Sequence, residues 1–330
     1  MPLLIKSFLL SFILHLATIY LCPKFKICLD TSLKPQRVHK KSIPRAGGFP
    51  IFLSFLVLAF LKSPFLGPKL IFCSLPIFIG GFLEDITQKL SYKHRFAFMF
   101  LATLFFVYFF KNFIVTDLGF INLTYPLGIV FTIFALIGIT NAFNLIDGIN
   151  GLTSGLTLQI FLTLWLLSME NSLDTYLPLL EILIGSTLVF FIFNFFFNKI
   201  FLGDSGSYLL GFLSGVLTIF VVKSSSASPW VPMVLMFYPI WETLFSIFRR
   251  LKDGKNPFLP DREHFHHLLY EFFESSHFKT TTVLLLVQGL ISLVVIKFYK
   301  NTAILISTFV SLIMLYFLTY KILKKKVKNN

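Results

Sequence analysis

Long apolar runs restrict what this chain can fold into. A transmembrane helix needs about 20 apolar residues, because a helix rises about 1.5 Å per residue and the hydrocarbon core is about 30 Å thick. Eleven stretches reach or approach that length. They cover approximately residues 3–21, 43–61, 70–83, 96–110, 125–139, 152–168, 176–197, 208–222, 230–248, 280–297 and 303–323. The chain is therefore predicted to be an all-α polytopic membrane protein with about 11 transmembrane helices.

The composition excludes a soluble enzyme and a nucleic-acid-binding module. Of the 330 residues, 56% are hydrophobic and 13% are charged, whereas soluble domains carry about 25% charged residues. The apolar runs are too continuous for an outer-membrane barrel, whose short strands alternate in polarity. We expect one membrane domain over residues 1–330 with no nucleic-acid partner, and we interpret the first run as a transmembrane helix rather than a signal peptide.

Basic residues predict the orientation of the chain in the membrane. The formal net charge is +14, and 22 of the 29 Lys and Arg residues fall on one side when alternate loops are assigned to alternate sides. The positive-inside rule makes that side cytoplasmic. We therefore expect the N-terminus outside, the C-terminus in the cytoplasm and an odd number of spans. The basic segment 324–330 is interpreted as an anchor for lipid headgroups.

Four carboxylates border the apolar runs at positions predicted to face the cytoplasm. They are Glu84 and Asp85 after the third run, Asp147 after the fifth and Asp204 before the eighth. Hydrocarbon penalises an ionised carboxylate by about 2.5–3.5 kcal/mol, so a carboxylate next to an apolar helix needs a reason. Any one of the four could cap a helix or pair with a lysine, but four on one face indicate a common site. Because Mg²⁺ prefers one or two carboxylates with phosphate oxygens and water, the set predicts a magnesium site, in which Mn²⁺ could substitute.

The residues around these carboxylates are typical of a phosphate site. Glycines allow close approach of the backbone, and serines add hydroxyl donors. The glycines are at positions 148, 151, 203 and 206, and the serines at positions 205 and 207. The loops expected to carry the chemistry cover about residues 84–95, 141–151, 198–207 and 249–279.

The longest predicted cytoplasmic loop, 249–279, concentrates cations and histidines. It contains Arg262, His264, His266 and His267. A basic loop is also what membrane orientation alone would produce. On a helix, His264 and His267 would share a face while His266 would point elsewhere, which is poor geometry for a three-histidine metal site. Donors to a polyphosphate fit better. Lys93 and Arg95 offer either further phosphate contacts or an anchor for the helix that follows.

These residues predict metal-assisted phosphoryl transfer at the cytoplasmic membrane surface. Bound Mg²⁺ would neutralise charge in the transition state while cations hold the leaving polyphosphate. A site at this boundary suits a lipid substrate whose tail stays in the bilayer. A secondary transporter is the alternative from another class. Transporters place polar groups near the membrane midplane, and only Glu242 approaches it here.

Six motifs in a fixed order carry a family resemblance. From about Arg37 to Leu269 the chain contains IPRAGGFPIF, GFLEDITQKLSYKHRF, NAFNLIDGINGL, FLGDSGSYLLGF, PIWETLFSIFRRL and NPFLPDREHFHHLL. These strings resemble the polyprenyl-phosphate N-acetylhexosamine-1-phosphate transferases, glycosyltransferase family 4, whose members have ten or eleven helices. The resemblance implies that undecaprenyl phosphate attacks the β-phosphorus of a UDP-N-acetylhexosamine and that UMP leaves. It places this step at the cytoplasmic face of the bacterial inner membrane, where it initiates cell-envelope glycan synthesis.

The resemblance also implies roles for individual residues. The catalytic carboxylates are matched by Glu84, Asp85 and Asp147, and the metal site by Asp85 and Asp204. Lys93 matches a contact to the lipid phosphate. The nucleotide-sugar contacts are matched by Asn141, Asn144, Arg262, His264, His266 and His267. Glu242 matches an acidic position before the paired arginines.

Two residues depart from the family pattern. Glu84 stands where many members have Asp. Asn150 replaces the second Asp of the D-G-x-D-G motif, so the resemblance implies no metal-binding or base role for position 150. The spelling H-x-H-H resembles the enzymes that start O-antigen, common-antigen and teichoic-acid linkage synthesis more than lipid I synthase. We therefore expect a UDP-N-acetylhexosamine donor, with GlcNAc favoured. Transfer of phospho-MurNAc-pentapeptide is the alternative, and a homodimer is left open.

Overall fold

Each predicted apolar run contains a helix in the structure, although residues 43–47 at the start of the second run are not helical. The structure, a computed structural model, describes residues 2–29, 43–254, 256 and 263–329. The helices are α1 (Pro2–Phe25), α2 (Gly48–Lys62), α3 (Gly67–Thr87), α4 (Tyr92–Phe109), α5 (Tyr125–Leu145), α6 (Leu152–Glu170), α7 (Leu177–Phe191), α8 (Gly203–Ser224), α9 (Val231–Leu235), α10 (Phe237–Lys252), α11 (Phe265–Phe272), α12 (His277–Phe298) and α13 (Thr302–Asn329). A π-helical turn, Ile192–Phe196, follows α7. The all-α class is confirmed, and Arg262 lies outside the described residues.

Eight helices in the described part of the chain are long and apolar enough to cross a membrane: α1, α3, α5, α6, α7 with its π turn, α8, α12 and α13. The predicted number of about 11 is therefore not confirmed. The other three predicted spans correspond to helix α2 with 15 residues, helix α4 with Lys93 and Arg95 in its first turn, and the broken pair α9 and α10. Helix length and apolar content decide which segments can span a membrane. By these criteria the structure supports a multi-pass membrane protein but does not establish the number of spans.

The ninth apolar run is divided at Met236. Helix α9 ends at Leu235, and helix α10 begins at Phe237. Pro239 has no backbone N–H to donate to the carbonyl of Leu235, so the α-helical hydrogen-bond ladder cannot continue through this point. Proline fits the first turn of a new helix, where the N–H is not needed. Helix α10, which begins after the break, carries Tyr238 and Glu242 to the site described below.

Helix α8 lies at the centre of the bundle, and almost its whole length is buried. It packs against α3 and α5 and also contacts α2 and α6. Its first turn approaches the neighbouring backbones closely, because glycine stands at the contact points. A methyl group at Gly81 of α3 would lie 2.5 Å from the Cα atom of Ser205, and one at Gly48 of α2 would clash with the backbone of Gly206. The small residues therefore hold three helices together around the start of α8.

Candidate active site

The N-terminus of α8 is held by a carboxylate from α3. Asp85, in the last turn of α3, is fully buried. Its Oδ1 accepts the backbone N–H of Asp204 at 2.7 Å, and its Oδ2 accepts the backbone N–H and the hydroxyl of Ser205 at 3.0 and 2.5 Å. The free N–H groups and the dipole of a helix N-terminus favour an anion there. Asp85 therefore acts as a cap supplied from another helix.

The neighbouring carboxylate, Asp204, faces cations rather than backbone. Its Oδ1 lies 3.4 Å from Nη2 of Arg45, and its Oδ2 lies 3.2 Å from Nη1 of Arg95. The hydroxyl of Tyr208 donates to Oδ2 at 3.1 Å. The two ion-pair distances exceed the 2.7–2.9 Å typical of strong charge-assisted bonds. Asp204 is thus the meeting point of three separate parts of the sequence.

Arg45 reaches this position because its segment pairs with the residues before α8. The backbone N–H of Gly47 donates to the carbonyl of Phe201 at 2.9 Å, and the N–H of Phe201 donates to the carbonyl of Pro44 at 2.8 Å. Sequence reasoning gave Arg45 no individual role, although it stands in the IPRAGGFPIF motif. The guanidinium of Arg95, by contrast, comes from the first turn of α4.

The third carboxylate, Asp147, lies in the turn between α5 and α6. It interacts electrostatically with Asp204, Asp85 and Arg45. Burial raises the pKa of Asp147 well above its ordinary value, and repulsion from Asp204 adds to this increase in pKa. Three of the four carboxylates predicted from the sequence thus form one electrostatic cluster, the carboxylate cluster (Asp85, Asp147 and Asp204), at one end of the bundle.

The histidine loop returns to the same turn. Gly148, next to Asp147, faces two imidazoles: a methyl group there would lie 3.2 Å from Cε1 of His267 and 3.4 Å from Nε2 of His266. His266 is fully buried; its Nδ1 lies 3.0 Å from the hydroxyl of Tyr238, and its Nε2 has no hydrogen-bond partner among the described residues. Burial lowers the pKa of His266 well below its ordinary value, so the imidazole is neutral. Its Nε2 is available to a ligand.

The predicted arrangement of the histidines differs from the structure in one respect. His264 has extended backbone angles and precedes α11, which begins at Phe265. Its ring stacks on that of His266 with centroids 5.4 Å apart, while the ring of His267 is tilted and 5.9 Å away. The expectation that His264 and His267 share a helix face to the exclusion of His266 is wrong, because the helix starts only after His264.

Glu242 of α10 contacts His264 and holds it in position. This carboxylate is fully buried. Its Oε1 lies 2.9 Å from Nδ1 of His264, and its Oε2 accepts the hydroxyl of Tyr316 at 2.7 Å. The backbone N–H of Phe265 donates to the same carboxylate at 3.3 Å. The sequence marked Glu242 as an acidic position before the paired arginines and near the membrane midplane, but not as a partner of His264. The contribution of Tyr316 from α13 was missed, since nothing in an apolar helix marks a long-range hydroxyl contact.

Other predicted site residues lie around this centre in different roles. Oε2 of Glu84 accepts the backbone N–H of Leu90 at 2.7 Å, which closes the turn after α3. Asn144 donates through Nδ2 to the hydroxyl of Ser207 at 2.9 Å, so it braces α8. Asn141 is half-buried in the last turns of α5, and Lys93 is exposed at the start of α4. The structure brings neither Asn141 nor Lys93 into a described contact with the carboxylate cluster.

Asn150, the departure from the D-G-x-D-G pattern, has a structural role. Its Nδ2 donates to Oδ1 of Asn198 at 3.0 Å, and its carbonyl accepts the hydroxyl of Thr281 at 2.7 Å. Its backbone N–H lies 3.4 Å from Nδ1 of His277. The residue therefore ties the turn before α6 to the segment before α8 and to α12. An amide suits this position because it can donate to Asn198, which a carboxylate cannot do.

The donor set of the carboxylate cluster fits Mg²⁺. Within the described residues, no three His, Cys, Asp or Glu side chains form a ready-made metal cage. Mg²⁺ does not require one, because it usually takes one or two carboxylates and completes its shell with water and substrate phosphates. Both oxygens of Asp85 accept donors at the start of α8, whereas the oxygens of Asp204 face two arginines at long distances and the hydroxyl of Tyr208. Asp147 is the electrostatic neighbour of Asp204, so Asp204 and Asp147 are the residues that would hold such an ion.

Comparison with known proteins identifies the family. The family described as glycosyl transferase family 4 matches residues 68–222. A relative from Bacillus subtilis (strain 168), named probable undecaprenyl-phosphate N-acetylglucosaminyl 1-phosphate transferase, is 32% identical over 297 residues, which cover 86% of this chain and 80% of the relative. The chain belongs to glycosyl transferase family 4. It is accordingly a transferase, and the carboxylate cluster lies inside the matched region while the histidine loop lies beyond it.

Two further relatives of this glycosyl transferase family 4 protein carry a similar name. Both are called undecaprenyl-phosphate alpha-N-acetylglucosaminyl 1-phosphate transferase. The one from Thermotoga maritima is 31% identical over 255 residues, with 77% of this chain and 75% of the relative covered. The one from Salmonella typhi is 28% identical over 267 residues, with 76% and 72% covered. The similarity thus extends well beyond the matched family region.

Proposed function

We propose that this protein transfers N-acetylglucosamine 1-phosphate from UDP-N-acetylglucosamine to undecaprenyl phosphate and releases UMP. A phosphate oxygen of the lipid attacks the β-phosphorus, and the bond between that phosphorus and the bridging oxygen of UMP breaks. The printed names of the relatives support the sugar and the lipid. The observation that carries the proposal is that Asp204 meets Arg45 and Arg95 with Asp147 as its electrostatic neighbour, while Gly148, the residue after Asp147, faces Nε2 of His266.

Each group has a distinct task in the proposed reaction. Mg²⁺, held by Asp204 and Asp147, would supply neutralisation of the charge on the diphosphate. Arg45 and Arg95 bind phosphate oxygens and stabilise the negative charge that develops on the leaving UMP. Asp85 keeps the first turn of α8 in place, so it is a positioning residue whose hydrogen bonds set the location of Asp204. The assignment of Asp85 as a direct metal ligand stays a prediction.

The histidine loop serves the nucleotide sugar in this proposal. The neutral imidazole of His266 presents Nε2 beside Gly148, and Tyr238 orients the ring through Nδ1. His264 and His267 flank it. The basic residues at this end of the bundle support a cytoplasmic location by the positive-inside rule. We therefore place the site at the cytoplasmic face of the bacterial inner membrane, with the N-terminus outside and the C-terminus in the cytoplasm.

A lipid-product assay tests the proposed function. Purified protein in lipid nanodiscs is incubated with Mg²⁺, undecaprenyl phosphate and radiolabelled UDP-GlcNAc, and we expect labelled lipid and equimolar UMP. A panel that adds UDP-GalNAc and UDP-MurNAc-pentapeptide establishes the donor. Absence of lipid product with every UDP-sugar, in a preparation that melts cooperatively, would contradict the proposal. Counterflow of a nucleotide sugar across vesicles without lipid product would favour a transporter.

A further inference from the structure

An apolar groove of about 270 Å³ lies between α10, α11, α12 and α13, and none of the catalytic carboxylates lines it. We call it the α12–α13 groove. One wall includes Leu284 and Val287 of α12, and the other includes Leu315 and Ile322 of α13. Both helices are long and apolar enough to span a membrane. In a bilayer the groove would therefore face hydrocarbon, and its lining suits an apolar chain.

Lysines follow the groove-lining residues along α13. On α13, Leu315, Thr319 and Ile322 line it, and Lys326 follows Ile322 by four residues, which places it on the same face of the helix. The ammonium of Lys326 lies 5.1 Å from the ring centroid of Phe272 on α11. Lys325, beside it, is exposed. An occupant that fills the groove would therefore place its polar end among cations.

The end that carries the lysines is also the end that carries the histidine loop. Nζ of Lys324 pairs with Oε2 of Glu263 at 2.5 Å, directly before His264. The lysines thus lie level with the cytoplasmic loops of the proposed topology. This is the depth at which the phosphate of a membrane lipid lies, and each lysine near an anionic lipid surface contributes attraction.

We propose that the α12–α13 groove binds an acyl chain of an anionic glycerophospholipid whose phosphate contacts Lys326 and Lys325. Charge complementarity decides the class of lipid: a zwitterionic headgroup would bring its own cation to the lysines. The polyprenyl acceptor is the less suitable occupant. Its phosphate must reach the carboxylate cluster and the arginines Arg45 and Arg95, none of which lines this groove.

The groove is connected to the active site through two tyrosines that line it. Tyr238 binds Nδ1 of His266 through its hydroxyl, and Tyr316 donates its hydroxyl to Glu242. A lipid chain in the groove packs against both aromatic rings. Occupancy therefore supports the positions of His266 and of the carboxylate that holds His264. This coupling to turnover rests on the proposed function, whereas the binding of the lipid does not.

The first test measures lipid binding directly. The full chain is reconstituted in phosphatidylcholine nanodiscs with increasing phosphatidylglycerol, and retained lipid is counted by native mass spectrometry after extraction. Leu315→Trp fills the groove, and Leu318→Trp is the matched control because Leu318 is exposed on α13 but does not line the groove. We expect Leu315→Trp to lose phosphatidylglycerol and Leu318→Trp to retain it.

A second variant keeps the test valid if Leu315→Trp fails to fold. Lys326→Ala should weaken phosphatidylglycerol retention about fivefold, since one lysine near an anionic headgroup contributes about 1 kcal/mol. Lys297→Ala, at the other end of α12, should leave it unchanged. In turnover assays at saturating substrates, adding phosphatidylglycerol should raise kcat for the wild type and not for Leu315→Trp.

Three results would overturn the inference. Equal phosphatidylglycerol retention by Leu315→Trp and Leu318→Trp would show that the groove does not hold the lipid. Equal retention of phosphatidylcholine and phosphatidylglycerol would exclude selection by the lysines. A rise in KM for undecaprenyl phosphate in Leu315→Trp, with phosphatidylglycerol binding intact, would assign the groove to the acceptor. Binding without any turnover would contradict the proposed function and leave the lipid site standing.

Discussion

The hydroxyl of Ser205 donates to Oδ2 of Asp85 at 2.5 Å, and these residues are 120 positions apart in the chain. The backbone N–H of Ser205 donates to the same oxygen. Together with the N–H of Asp204, these bonds join the end of α3 to the start of α8. The position of Asp204 in the active site therefore depends on a contact between helices, and this contact can be tested separately from the chemistry.

Asp85→Asn should abolish most activity while the protein still inserts into the membrane. An amide nitrogen cannot accept the donors at the start of α8, so Asp204 shifts, and a displacement of about 1 Å can cost about 100-fold in rate. Ser205→Ala removes one of the three hydrogen bonds to Asp85 and should lower kcat less than Asp85→Asn does. The measurement is kcat in nanodiscs together with the melting temperature. Wild-type kcat in folded Asp85→Asn would contradict the positioning role.

Asp204→Asn should lower activity and raise the Mg²⁺ concentration needed for half-maximal rate. The amide loses the charge that attracts the metal. Tyr208→Phe removes the hydroxyl that donates to Asp204 and should cost about 10-fold in apparent metal affinity, as is usual for groups that orient a ligand. Magnesium titrations of the initial rate give both values. Near-normal turnover with unchanged Mg²⁺ dependence in Asp204→Asn would show that the metal assignment is wrong.

His266→Ala should raise KM for the nucleotide sugar more than it lowers kcat. The variant removes the free Nε2 beside Gly148 but leaves the carboxylate cluster intact. Tyr238→Phe removes only the bond that orients the ring, so a smaller change in the same parameter is expected. Initial rates across UDP-GlcNAc concentrations separate the two constants. If both remain at wild-type values, the loop serves orientation in the membrane and not the substrate.

Glu242→Ala should destabilise the protein strongly. It leaves buried donors on His264, Tyr316 and Phe265 without their acceptor, and removal of one member of a buried charged set costs about 3–5 kcal/mol. Tyr316→Phe removes one hydrogen bond and should cost about 1 kcal/mol. Glu271→Ala, at an exposed carboxylate, is the control. Chemical denaturation in mixed micelles measures the differences, and equal stability of the Glu242 and Glu271 variants would refute the anchoring role.

Stability should fall as the pH drops below the ordinary histidine pKa of about 6.5. Burial lowers the pKa of His266 in the folded state, so the unfolded chain binds a proton that the folded chain does not. The His266 contribution is complete above that pH and is lost on acidification by about 1.4 kcal/mol per pH unit. His266→Gln should reduce the slope of the unfolding free energy against pH between pH 6.5 and 5, relative to wild type. An identical slope in both proteins would contradict burial of a neutral imidazole.

Much of the fold could be predicted from local sequence patterns. Every apolar run contains a helix, and the carboxylates at 85, 147 and 204 do gather at one end of the bundle. The break at Met236 could have been found too, since Pro239 cannot complete the hydrogen bond to Leu235. The predicted number of spans is not confirmed. Helices α2, α4 and α10 are too short or too polar to count as membrane-spanning by their length and composition.

The division of tasks among the carboxylates was not accessible from the sequence. Asp85 and Asp204 both match the metal site of the family in sequence, and only the structure shows that Asp85 caps a helix while Asp204 faces arginines. Arg45 gained its role only through the pairing of its segment with Phe201. These differences arise from which atoms face each other across helices that are far apart in the chain.

The sequence by itself determined the membrane class, the positions of the helices and the supply of carboxylates and histidines, because hydrophobicity and helix length act over about 20 neighbouring residues. The tertiary structure alone decided that Ser205 meets Asp85, that Tyr316 meets Glu242 and that His266 faces Gly148. Such contacts depend on the relative rotation and depth of packed helices, which are set by side-chain packing across the whole bundle and are not encoded in any single segment.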